Sequence, residues 1–169
     1  MATPTSDAPD RTLPPALGAG SLLAFRVGNS WMAVPVQLVA EVCDFSLPTP
    51  VPTVPPHIPG VFTLRGQVVP LLDLEVFLNL AQSPPAEDAG ERERSFSRIL
   101  LVAAGGMRVG LVCHQVRGVM DPRAEKLHQP EVVQGERLQE LVLAEMEQEQ
   151  GLVFVLDLPR LLQAARVKR

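Results

Sequence analysis

The stretch GVFTLRGQVVPLLDL, residues 60–74, decides how this chain folds, because it reads as a β-hairpin that runs directly into a capped helix. Val61, Thr63 and Arg65 alternate with Phe62 and Leu64, the period of a strand with two distinct faces. Gly66-Gln67 sits where a two-residue turn with Gly at its first central position falls. That reading puts Arg65 in the strand just before the turn, on the face of Val61 and Thr63. A second strand over 68–72 ends at Asp73, whose carboxylate can accept from the free amides of a helix start. Leu74, Phe77 and Leu78 then follow at helical spacing.

The same unit recurs near the C-terminus. QGLVFVLDLPRLL, residues 150–162, aligns at a constant offset that lays Leu156, Asp157 and Leu158 on Leu72, Asp73 and Leu74, and Pro159 suits a first helical turn. The earlier parts of the two halves match as well, without a gap. Gly28, Val34, Val39, Val42 and Asp44 land on Gly105, Leu111, Val116, Val119 and Asp121. Each half therefore runs strand, Gly turn, strand, short segment, hairpin and helix, which is the pattern of a duplicated β unit. The expected boundaries are a disordered Pro/Thr/Ala-rich tail over 1–20, one domain over 21–163 and a C-terminal tail over 164–169. Within the domain, a first unit spans about 21–82, a linker about 83–95 and a second unit about 96–163. The linker reading rests on Ser83-Pro84-Pro85 and the mixed-sign run Glu91, Arg92, Glu93, Arg94. These flanks leave no room for a kinase, receiver or methyl-transfer domain, so a standalone module is expected.

With 169 residues, 46% of them hydrophobic and 20% charged, the chain can bury one ordinary core or two small barrels that share an interface. It has no apolar run near the roughly 20 residues of a membrane-spanning helix. The N-terminus lacks the basic start and apolar stretch of a secretory signal, so a cytoplasmic protein with no direct membrane insertion is expected. A net charge of −4 and aromatics at 4%, with tyrosine absent, argue against a nucleic-acid surface, which needs a basic stripe or stacking platforms. Cys43 and Cys113 occupy near-equivalent apolar β segments and read as buried structural thiols.

Candidate chemistry is sparse. Asp73 and Asp157, at equivalent positions after apolar strands, invite comparison with a shared-proton aspartate dyad and hence a small hydrolase. A dyad needs both carboxylates to converge on one water from tight Gly turns, whereas Leu74 and Leu158 follow here and begin helices. Helix capping is the better reading. His57, His114 and His128 show no metal-ligand spacing, and Cys113 and His114 are strand neighbours that point to opposite faces. Gly105-Gly106 lacks the lysine, hydroxyl and helix of a phosphate loop and reads as a hairpin turn. No catalytic residue, metal or cofactor is expected. The Pro-rich run over 48–59, PTPVPTVPPHIP, reads as a stiff connector lying across the sheet, although such a segment also resembles a ligand of Pro-recognising domains. Arg65 and Glu41, each in an otherwise apolar β element, leave two readings open: a solvated or structural ion pair, or the frame of a protein-binding groove.

GVFTLRGQVVPLLDL closely resembles the signature of the CheW-like chemotaxis coupling proteins, in which a Gly-Val, x, Asn-Leu-Arg-Gly segment leads through a Pro-containing apolar strand to Asp-Leu. LLAFRVGNSWMAVPVQLVAEV over 22–42, the Pro-rich crossing, residues 98–119 and residues 152–162 are similar to the corresponding parts of that family. The resemblance implies a mainly β fold: two pseudo-symmetric five-stranded SH3-like β-barrels with short helices, packed around a shared apolar core. It further implies a non-enzymatic adaptor at receptor arrays, linking the cytoplasmic signalling tip of a chemoreceptor to the regulatory domain of a chemotaxis histidine kinase. Other CheW-like proteins join such arrays in rings. The same fold can serve surface motility or another output, or bind receptor without recruiting kinase. Carried over by position, the receptor-facing residues are Arg65 first, then Glu41, Val39 and Gly60, the last allowing close approach of a partner backbone. Gly66, Asp73 and Asp157 are structural in the same comparison, and kinase-contacting residues are unassigned. Thr63 stands where the family has Asn, and Glu147, Gln148, Glu149 and Gln150 precede Gly151 where a tight Asp-Gly turn is more usual.

Overall fold

Alternating apolar residues and left-handed turn residues produce the framework of this chain. The computed structural model describes residues 20–80, 96–122, 127–130, 136–149 and 151–166. Of the expected tail over 1–20 all but Gly20, and the whole expected linker over 83–95, lie outside the described residues. The first half gives β1 (Leu22–Val27), β2 (Ser30–Pro35), a 3-10 turn (Val36–Leu38), β3 (Val39–Asp44), β4 (Val61–Leu64), β5 (Gln67–Leu72) and helix α1 (Leu74–Phe77). The second half gives β6 (Arg98–Ala104), β7 (Met107–Cys113), β8 (Gln115–Met120), β9 (Leu127–His128), α2 (Glu136–Leu141), β10 (Val142–Gln148), β11 (Gly151–Leu156) and α3 (Leu158–Ala165).

The protein is mainly β, and its strands form two sheets. One has six strands in the order β8-β1-β2-β11-β10-β9, and the other five in the order β3-β6-β7-β5-β4. Neither sheet coincides with a half of the sequence, so the contiguous units expected over about 21–82 and 96–163 need correction. The opening hairpin β1–β2 pairs with strands of the second half, through β1 on β8 and a parallel pairing of β2 with β11. Reciprocally, β6–β7 pairs with the first half, through β6 on β3 and a parallel pairing of β7 with β5. Pattern matching between halves could not reveal this exchange, because equivalent strands carry equivalent faces and either copy can fill the same place. The six-stranded sheet also exceeds the expected five, since β9 adds a two-residue edge pairing on β10.

Each sheet curls around its own small core. Leu22, Ala33, Met146, Val153 and Val155 fill the six-stranded one, and Phe62, Val69, Leu71, Ile99, Leu101 and Val112 the five-stranded one. The opposite faces share a larger core in which Phe25, Met32 and Val34 of one sheet meet Leu72, Leu100 and Leu111 of the other. Helix α3 joins this core through Leu158, Leu161, Leu162 and Ala165, one apolar stripe at helical spacing. Burial of each of its leucines contributes about 1.5–3 kcal/mol. The stripe reaches Ala165, which is buried, so the folded part continues past residue 163 into the expected C-terminal tail.

The turn of the β4–β5 hairpin lies one residue earlier than its glycine alone suggests. Leu64 pairs with Gln67, so the turn residues are Arg65-Gly66, not Gly66-Gln67. Both take positive φ, 49° and 79°, the pattern of a type I′ turn whose twist suits the flanking strands. Arg65 therefore belongs to the turn and not to the strand face of Thr63. The equivalent positions of the β6–β7 hairpin are Gly105 and Gly106, with φ of 59° and 78°. The Pro-rich crossing is pinned to the sheet at several points. Thr49 and Val61 exchange N–H···O bonds of 2.8 and 2.9 Å, and the His57 carbonyl accepts from Asp73 N at 2.8 Å. These bonds favour the stiff-connector reading of that segment.

Candidate functional site

Glu41 and Arg65 come from different elements and meet. β3 carries a β-bulge between Val39 and Glu41 in its pairing with β6, and the bulge resets the direction of the side chains that follow. The tight turn after β4 projects Arg65 toward the same end of the sheet. Its guanidinium engages Glu41 as a fork, Nη1 to Oε2 at 3.0 Å and Nη2 to Oε1 at 3.0 Å. The Arg65 side chain is 76% exposed and that of Glu41 32%, so the pair lies at the surface with one arginine face open to solvent. An arginine held in the left-handed region costs roughly 1–2 kcal/mol relative to glycine. An exposed ion pair returns only about 0.2–1 kcal/mol. Fold stability alone therefore does not explain Arg65.

The second copy of the unit lacks this arrangement. β8 carries a bulge at the equivalent place, between the residues paired with Ala24 and Phe25, but Glu41 is matched there by Gly118 and Arg65 by Glu149. The Glu41–Arg65 fork thus belongs to the first copy, and the equivalent hairpin tip of the second is acidic and exposed at Glu147 and Glu149. Val39 sits on the first end in a different way. It is half-buried, packs on the shared core and pairs with Val102.

Gly60 requires a correction. Its expected role was to admit a partner backbone, yet it is buried and already spent on the chain's own fold. A Cβ there would lie 2.3 Å from the Thr49 carbonyl oxygen, and its φ of 155° also disfavours a side chain. The approaching backbone is that of the Pro-rich crossing.

Asp73 and Asp157 each start a helix. Asp73 Oδ1 accepts from Glu75 N at 3.1 Å and Val76 N at 3.3 Å, and Asp157 Oδ1 accepts from Arg160 N at 3.2 Å. Both carboxylates are occupied with backbone amides at separate helices, which does not match the shared-water geometry of a dyad. The histidines are dispersed: Gly28 N donates to His114 Nδ1 at 2.9 Å, His57 packs on Phe77, and His128 lies on β9. Among the described residues no group of three or more His, Cys, Asp or Glu is placed to hold a metal ion, and no helix is long and apolar enough to cross a membrane.

Cys43 and Cys113 are both free thiols. Burial pushes the Cys113 thiol up to about 12, with Arg98 acting in the opposite direction. Cys43 is raised as well, first by desolvation and then by the neighbouring Glu41 carboxylate, while Arg65 lowers it. Cys43 is only half-buried, so the expectation of two buried thiols holds fully for Cys113 alone.

Exposed apolar residues at equivalent places in the two halves escaped the sequence reading. Val42 on β3 and Val119 on β8 are 41% and 64% exposed on strands at the edges of their sheets. Their signal was present in the aligned repeat, but alternation alone cannot tell an exposed apolar position from a buried one.

Comparison with known proteins agrees with this architecture. Residues 21–166 match the CheW-like domain. Protein FrzA of Myxococcus xanthus is 34% identical over 163 residues, covering 94% of this chain and 96% of that protein. Chemotaxis protein CheW of Bacillus subtilis is 32% identical over 114 residues, covering 67% and 68%. The scaffolding protein TtCheW of Thermoanaerobacter tengcongensis superposes with a TM-score of 0.66 at 19% identity, over 82% of this chain and 88% of that one. The exchanged pair of curled sheets, the signature hairpin and the match along nearly the whole folded length together place this chain in the CheW-like domain family.

Proposed function

We propose that this chain couples the cytoplasmic signalling tip of a chemoreceptor to the regulatory domain of a chemotaxis histidine kinase, with the Glu41–Arg65 end facing the receptor. Its general role, a CheW-like adaptor in chemotaxis signalling, follows from family membership. The observation that carries the finer reading is the forked ion pair itself. It is exposed, held on a turn residue that fits poorly there, and absent from the equivalent end of the second copy. A preoriented guanidinium with an open face suits a helical tip that presents polar side chains and carbonyls. Val39 and the exposed Val42 supply apolar contact beside it. The exposed edge strands β3 and β8 offer β-rich surfaces for kinase or further CheW-like subunits in a ring, at receptor arrays in the cytoplasm. Catalysis plays no part in this role.

The test is a titration of wild type and Arg65→Glu against a receptor signalling tip and a kinase regulatory domain from the same genome. Wild type should bind both, and the variant should lose at least tenfold in receptor affinity while keeping the kinase. Failure of wild type to bind either partner would leave the fold standing and remove the coupling role. A second reading, in which the output is surface motility or another response, keeps the same fold and site and accommodates relatives that do not carry the CheW name, Protein FrzA over nearly the full length and Protein PilI of Pseudomonas aeruginosa at 30% identity over 104 residues. Repeating the titration with each chemosensory kinase of the genome separates the two.

A further inference from the structure

A cavity of about 270 Å³ opens between the face of β5 and β7 and the end of α3. Pro70, Met107, Val109, Leu162 and Ala165 form apolar walls, and Ile58 of the Pro-rich crossing closes one side. The apolar face continues outward along β5 to Val68, which is 66% exposed and shares the face of Pro70. Arg108 and Arg166 stand at its rim. Elsewhere Arg65 and Arg98 are matched by carboxylates, Glu41 and Asp44, each at 3.0 Å. Arg108 instead donates to the neutral amide oxygen of Gln67, and among the described residues neither rim arginine has a carboxylate within ion-pair distance. Arg108 and Arg166 thus give this mouth two positive charges in a chain of net charge −4.

From this juxtaposition we infer that the cavity is a second docking site, for an acidic amphipathic helix of a partner protein that inserts apolar side chains between β5, β7 and α3 and sets its carboxylates on Arg108 and Arg166. Three features select that occupant. The volume falls just below the roughly 300–1,000 Å³ of small-molecule pockets and suits one or two anchoring side chains. β5 and β7 are interior strands, paired on both sides, so an extended peptide has no free sheet edge to add to here. A helix satisfies its own backbone and reads the site through side chains alone. The open guanidiniums then supply charge complementarity, which sets orientation and association rate. The site shares no residue with the Glu41–Arg65 end and does not rest on the proposed receptor role.

The probe is a synthetic 16-residue helical peptide with leucines spaced i, i+4 and glutamates flanking them, titrated against full-length protein carrying methyl-labelled methionine. The Met107 methyl resonance should shift saturably, while those of Met32 and Met146, buried in the cores, stay fixed. Arg108→Glu combined with Arg166→Glu, both surface changes, should weaken binding at least tenfold, and a peptide with lysines in place of glutamates should not bind. Arg65→Glu should leave the titration unchanged. An unmoved Met107 resonance at millimolar peptide overturns the site. Equal binding of the lysine peptide or of the double variant overturns the charge-based choice of partner.

Discussion

At Arg65 two demands on one residue point in opposite directions. Asparagine visits the left-handed region more readily than arginine, so Arg65→Asn should gain on the order of 1 kcal/mol in the turn and lose about 0.5 kcal/mol with the ion pair. Urea melts should therefore show stability equal to or slightly above wild type, while receptor affinity falls. A clear loss of stability would show instead that the pair is structural. The neighbouring thiol gives a second readout. Because Glu41 raises Cys43 and Arg65 lowers it, Glu41→Gln should speed alkylation of Cys43 at pH 8, and Arg65→Gln should slow it. Cys113 should stay unmodified in the folded state. Its folded pKa of about 12 lies above the ordinary thiol value of 9.0, so the folded state holds its proton where the unfolded state has lost it. That contribution is complete below pH 9 and is lost progressively as pH rises toward 12. Cys113→Val should accordingly flatten the alkaline decline in stability measured between those limits.

Among the elements, the hairpin-and-helix unit was legible because its alternation, turn glycine and capping aspartate act locally. The capping residues Asp73 and Asp157 needed only the adjacent chain to be found. The turn register was missed by one position because Gly66 satisfies either reading: it can be the first residue of one turn type or the second of another. Choosing between them required the Leu64–Gln67 pairing, a contact that no local pattern states. Gly60 was misread for a similar reason. Its glycine requirement was visible, but the atom that imposes it, the Thr49 carbonyl oxygen, sits in a segment whose path follows from tertiary hydrogen bonds. Gly60→Ala should thus act on folding before any binding. With a Cβ forced to 2.3 Å from that oxygen, the bridge between Thr49 and Val61 must break, and a loss of about 3 kcal/mol or more is expected. Denaturant unfolding of the variant checks this, and native stability with lost receptor binding would restore Gly60 to the docking surface.

For the whole molecule, the exchange of opening hairpins turns a sequence duplication into a single cooperative body. Each sheet takes two strands from the other half: β1 and β2 complete one, β6 and β7 the other. The shared core draws on both sheets and on α1, α2 and α3, so neither half can bury its apolar faces alone. A polypeptide ending at residue 82 lacks β6 and β7 and leaves β3 and β5 without the strands that join them; one beginning at 96 lacks β1 and β2 between β8 and β11. Each fragment should be unfolded or aggregated on its own, with little dispersion in its amide spectrum. Mixed from denaturant in equal amounts, the two should assemble one to one, because the pairings that cross between halves need no covalent link. The intact chain should unfold in one transition, with Trp31 fluorescence in the six-stranded sheet and Met107 methyl signals in the five-stranded one changing together. Two separated transitions, or a half that folds unaided, would mean that the crossing strands are dispensable and that the two sheets are independent.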